Sequence, residues 1–185
     1  MQETRTRAQE AAEDVFFGQA VMIWARWAVI AAAAVLILWT SSSIRELEGK
    51  VLVVVGLMAI NFFLHGRYLM ERPANRYLVV LASMVDVALI TAMVVISGGF
   101  QSAFFVLLYP VVAAFALVFP PRLAIAFTAA TVGLYSLSAM LNPPADYQQL
   151  KVLLVRVITL AAMGALGTYY WRVERDRRRR AATAS

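Results

Sequence analysis

Apolar residues fall into six long blocks separated by short polar connections, at about 21–40, 51–69, 77–96, 100–119, 123–141 and 150–170. Each block approaches the roughly 20 residues with which an α-helix crosses about 30 Å of hydrocarbon at 1.5 Å per residue. The blocks are continuous and lack the period-two alternation of barrel strands. A helix also satisfies its own backbone polar groups, as lipid demands. The pattern predicts an all-α, polytopic membrane protein, a bundle of about six transmembrane helices over 21–171.

Both flanks carry helical patterns. Ala8, Ala11, Ala12, Val15 and Phe16 recur at three- and four-residue steps, with Glu10, Glu13 and Asp14 on the other side, which predicts an amphipathic helix over 1–20. The mixed charges there are unlike the basic start and short apolar core of a cleaved signal peptide. After the last block, Glu174 and Asp176 are spaced to meet Arg177–Arg180 one turn on. The basic tail at 172–185 is therefore expected to extend the sixth helix by two or three turns.

Composition agrees with a lipid solvent: 62% of the residues are hydrophobic and 15% charged, against about 25% charged in soluble domains. The excess of 17 Lys and Arg over 11 Asp and Glu is unevenly placed. Arg5, Arg7, Arg67, Arg72, Arg76, Arg122, Arg172, Arg175 and Arg177–Arg180 lie at one set of ends, Arg45, Lys50 and Lys151 at the other. By the positive-inside bias this predicts both termini in the cytoplasm. Arg177, Arg178, Arg179 and Arg180 are expected to meet anionic lipid headgroups. No folded reader or interleaved aromatics accompany them, so nucleic acid is not an expected partner.

Catalytic and metal chemistry find little support. Cysteine is absent and His65 is the single histidine, which removes disulfides, Cys-ligated metals and His-pair sites within one chain. Gly98-Gly99 continues into neither GxGxxG nor GK[ST], and no two carboxylates share a face of one segment. The expectation is a non-enzyme without metal or cofactor.

The candidate sites are polar groups out of place. Asp86 lies near the middle of the third block, roughly 13 Å from the cytoplasmic edge by helical rise. A carboxylate there costs about 2.5–3.5 kcal/mol on insertion scales and calls for a partner. Arg26, roughly 7 Å deep, and Arg156, about 9 Å in from the other side, are both in reach. Arg26 has the alternative of snorkelling to the surface beside Trp24 and Trp27. Asn61 and His65, one turn apart, form a polar pair or a ligand or pigment contact. Gly98, Gly99, Gln101 and Ser102 predict a tight hairpin, and Pro110 a kink in the fourth helix. Ala161 with Ala165, and Gly164 with Thr168, make small-xxx-small pairs for close helix packing. A second copy or other membrane subunits are the expected partners, beside the bilayer.

Three runs together resemble a known family: Asp86 with Val87-Ala88-Leu89-Ile90-Thr91, then 97–105 from Ser97-Gly98-Gly99 to Phe105, then Tyr109-Pro110-Val111-Val112-Ala113-Ala114. They are similar to the membrane-embedded sensory region of bacterial sensor histidine kinases, with Ala103 where that family often has proline. The resemblance implies a bacterial inner-membrane location and a helix that hands a signal to a kinase core. No dimerisation or ATP-binding region precedes Ser185, so a membrane input portion or a stand-alone relative is expected. The favoured reading is a non-catalytic sensory or regulatory module. A second is an accessory subunit of a respiratory, photosynthetic or transport complex. A third is the six-helix substrate-binding component of a vitamin uptake system.

Overall fold

A computed structural model describes residues 2–41, 43–70, 75–141 and 143–184, with side chains described from 18 to 174, apart from 76, and at 177. Six α-helices follow in order: α1 (Gln2–Thr40), α2 (Ile44–Leu69), α3 (Arg76–Ile96), α4 (Leu108–Val118), α5 (Pro121–Leu141) and α6 (Tyr147–Ala184). No strand occurs among the described residues. Gly18–Thr40, Ile44–Leu69, Tyr77–Ile96, Pro121–Leu141 and Tyr147–Glu174 are long and apolar enough to cross a membrane, and the remaining pass, Ala103–Val118, is shorter. The protein is a multi-pass membrane bundle.

The fourth pass differs from the single helix expected over 100–119. It starts as two 3-10 turns, Gly99–Gln101 and Ala103–Leu107, before α4 takes over. Pro110 has no N–H to offer the carbonyl four residues back. It therefore sits in the first turn of α4, where donors have no intrahelical acceptor anyway. The irregular backbone lies upstream of the proline.

Helix ends follow local chemistry. The connection expected over 41–50 shrinks, because Ser43 Oγ accepts from Glu46 N at 3.3 Å and starts α2 at Ile44. This is the S-x-x-E arrangement of a capping box. Asp146 caps α6 in the same way, accepting from Gln149 N at 2.7 Å while Gln149 Oε1 accepts from Ala145 N at 2.9 Å. Phe119, extended before Pro120, ends α4, and Pro121 opens α5.

Helix α1 packs on α2 and α4, α3 on α2, α4 and α5, and α6 on α4 and α5. Helix α4 is thus the interior element, with Leu108, Val111, Val112, Ala114, Phe115 and Ala116 buried. Phe115 stacks between Phe127 and Phe119 at ring-centroid distances of 3.9 and 4.2 Å. Exposed apolar residues such as Leu38, Leu52 and Ile158 face outward, where lipid receives them. Gly18 of α1 stands against Val118 of α4, and Gly167 of α6 against Ala116. These contacts gather both termini at one end of the bundle, the terminal end, with the 97–102 hairpin at the other.

The small residues of α6 divide by face. Gly164, Gly167 and Thr168 are buried, whereas Ala161 and Ala165 are exposed. A Cβ on Gly164 would strike Thr128 of α5, and one on Gly167 would lie 2.6 Å from Ala116 Cβ. Close approach within the chain therefore uses Gly164 and Gly167. The expected Ala161–Ala165 pair makes no such contact, because α4 and α5 cover only the opposite side of α6.

Candidate functional site

Two polar layers cross the apolar interior. The deeper one joins α1 to α3. Arg26 Nε donates to Asp86 Oδ2 at 2.6 Å, and Arg26 Nη2 to Ser83 Oγ at 3.1 Å. Ser83 in turn donates to the Val79 carbonyl. Arg26 is 6% and Asp86 3% exposed. Arg26 therefore does not snorkel: a buried carboxylate one helix away offers a shorter, charge-assisted bond than the surface does.

Arg156 does not join this layer, although helical rise left it in reach of Asp86. Helix α6 packs on α4 and α5, and the nearest acceptors to Arg156 belong to the hairpin. Its Nη1 donates to the Phe100 carbonyl, to the Ser102 carbonyl at 3.4 Å and to Tyr135 Oη at 3.3 Å. Tyr135 Oη also donates to the Phe100 carbonyl at 3.0 Å. The guanidinium carbon lies 3.8 Å over the Phe105 ring centroid, in cation–π geometry. Arg156 is thus a clamp on backbone that a helix would otherwise have satisfied.

The hairpin needs that clamp because it is not helical. Gly98 and Gly99 adopt φ of +104° and +67°, which a side chain would oppose. Ser102, buried, caps the next 3-10 turn by accepting from Phe104 N at 3.2 Å. Gln101 is exposed at the rim. Nearby, Lys50 is 3% exposed. Its Nζ lies 3.5 Å from Ser41 Oγ, 3.8 Å from Glu46 Oε2 and 5.5 Å from the Phe104 ring centroid. One turn below Arg156, the Thr159 hydroxyl meets Tyr109 Oη at 2.6 Å, tying α6 to α4.

Asn61 and His65 stand one turn apart on α2 without a hydrogen bond to each other. His65 Nδ1 accepts from Trp27 Nε1 at 3.3 Å, whereas Asn61 is 0% exposed and neither amide atom has a partner among the described residues. Of the four expected headgroup arginines, Arg177 is exposed. The side chains of Arg178, Arg179 and Arg180 lie outside the described residues, as does the polar face expected over 1–17. No group of three His, Cys, Asp or Glu suited to a metal occurs among the described residues.

Sequence reasoning missed Ser83, Tyr135, Lys50 and Gly167. Ser83 stands three residues before Asp86, on the same helical face. Gly167 stands three after Gly164, and Tyr135 is a lone phenol deep in an apolar block. Those spacings were readable; the partner helices were not.

Residues 20–171 match the family described as the PilS-like transmembrane domain, a six-helix domain. No curated protein and no solved structure matches the chain. PilS is a sensor histidine kinase, and the matched domain is a sensory, non-catalytic unit. The match covers all six passes, including the Asp86 layer, the glycine hairpin and the Arg156 clamp. The chain belongs to the PilS-like transmembrane family, the membrane input regions of sensor-kinase type.

Proposed function

We propose that this chain is a non-catalytic sensory or regulatory module of the bacterial inner membrane, with both termini in the cytoplasm, which converts a change at its outer hairpin into a movement of α6. The observation that carries this reading is the Arg156 clamp: one side chain of α6 holds the carbonyls of Phe100 and Ser102. From there α6 runs unbroken to Ala184 as part of a 38-residue helix. A displacement of the hairpin is thereby a displacement of a continuous rod, and such a rod is the two-position element that a signal needs to bias. The deeper Arg26–Asp86 pair fixes α1 to α3 and gives α6 a rigid frame to move against. The exposed Ala161–Ala165 face of α6 suits contact with a second copy of the chain, and Arg177 suits an anionic headgroup.

The test joins the full chain, through α6 in continuous helical register, to a histidine-kinase core and inserts residues after Arg177. Each inserted residue turns the helix face by roughly 100°, so two rotate the output and seven nearly restore it. Autophosphorylation that changes with two added residues and returns with seven supports transmission through α6. Activity indifferent to phase contradicts it.

A further inference from the structure

The interior around Arg26 and Asp86 contains more polar valence than the ion pair uses. Arg26 Nη1 and Asp86 Oδ1 are both buried without a partner among the described residues. Asn61 adds an amide with neither its donor nor its acceptor engaged. A buried ion pair is tolerable only when its remaining lone pairs and protons are also satisfied, and orphaned polar atoms in native interiors point to a further partner.

Arg26 and Asp86 line one cavity, and Asn61 lies one turn along α2 from its lining. A cavity of about 10 Å³ is lined by Arg26, Val29, Ile30, Leu57, Asp86 and Val111. Leu57 and Asn61 belong to the same buried stripe of α2, one turn apart. In the α2–α3 register Gly56 faces Leu89 and Gly49 faces Ile96. That antiparallel offset sets Asn61 level with Met84, two residues from Asp86.

We propose that this cavity is a binding site for one internal water molecule, which accepts from Arg26 Nη1, donates to Asp86 Oδ1 and is within the reach of the Asn61 amide. Size and chemistry select it. A cavity of about 10–15 Å³ holds a single water, and such waters make two to four hydrogen bonds to buried polar groups. The Arg26–Asp86 pair already balances its own charge, so an added ion of either sign would meet a like charge at contact distance. A neutral dipole with both donor and acceptor capacity meets neither. The water completes the coordination of a salt bridge that lipid surroundings leave unsolvated, and this holds whichever signal the domain reads.

The experiment uses the full chain in lipid bilayers with its arginines labelled with 15N, and reads magnetisation transfer from water protons to side-chain nitrogens by proton-detected solid-state NMR. The exposed Arg45 is the positive control. Transfer to Arg26 as well as to Arg45 is expected, with the Arg26 signal lost in Leu57→Phe, which fills the cavity and keeps every polar residue. Thermal unfolding of the same variant gives an independent arm. A ring that merely fills a dry void raises Tm, whereas one that displaces a bound water and strands polar atoms does not. Transfer to Arg45 with none to Arg26, or a higher Tm in Leu57→Phe, overturns the assignment.

Discussion

Arg26 Nε stands 2.6 Å from Asp86 Oδ2 with both side chains shielded from solvent, so α1 and α3 are joined by a charge pair that lipid cannot solvate. Removing one partner leaves the other charge buried alone. Asp86→Ala is expected to cost about 3–5 kcal/mol, read from thermal or denaturant unfolding in detergent. Replacing both, as Arg26→Met with Asp86→Leu, is expected to recover most of the loss. A double variant as unstable as the sum of the single ones would mean that the two side chains do not interact.

Gly164 and Gly167 set the distance of α6 from its neighbours. Gly164→Ala and Gly167→Ala each force a methyl into Thr128 or Ala116, and overpacking of this kind costs about 1–3 kcal/mol. Ala161→Val, on the exposed face, is expected to stay within about 0.5 kcal/mol of the parent. Unfolding midpoints of the three variants check the ordering. Equal effects at 161 and 167 would mean that α6 is not seated on these glycines.

The phenol of Tyr135 is one of the groups that share the Phe100 carbonyl with Arg156. Tyr135→Phe removes one buried hydrogen bond while keeping the ring, and a loss of about 0.5–1.5 kcal/mol is expected. The same unfolding assay reads it, and an unchanged midpoint would show that Arg156 holds the hairpin without the phenol.

The absence of cysteine makes the topology simple to test. A cysteine at Gln101, exposed in the hairpin, is expected to react with an impermeant maleimide on intact spheroplasts. One at Arg177 is expected to react only after the membrane is opened. The reverse pattern would invert the orientation on which the proposed direction of signalling rests.

How far these features were legible in the sequence follows from what each depends on. The spans were readable because hydrocarbon thickness alone fixes their length, and the hairpin because two adjacent glycines leave few other conformations. The 3-10 start of the fourth pass was less visible: it arises from Ser102 capping a short turn ahead of Pro110, and an apolar run conceals both effects. Partner choice was hidden for a different reason. Helical rise places Arg26 and Arg156 at comparable reach of Asp86, but only lateral packing decides. Helix α6 lies against α4 and α5, so Arg156 turns to the Phe100 and Ser102 carbonyls while Arg26 takes the carboxylate. For the same reason His65 takes its partner, Trp27, from α1 and not Asn61 of its own helix.

The link between the hairpin and the outgoing helix rests on one guanidinium, and its removal is the most direct measurement. With the full chain joined through α6 to a histidine-kinase core, Arg156→Ala is expected to shift basal autophosphorylation away from the parent level. Ile158→Ala, a truncation on the outward face of the same helix, is expected to leave it unchanged. Autophosphorylation identical in Arg156→Ala and the parent, with the variant folded and inserted, would contradict transmission from the hairpin to α6.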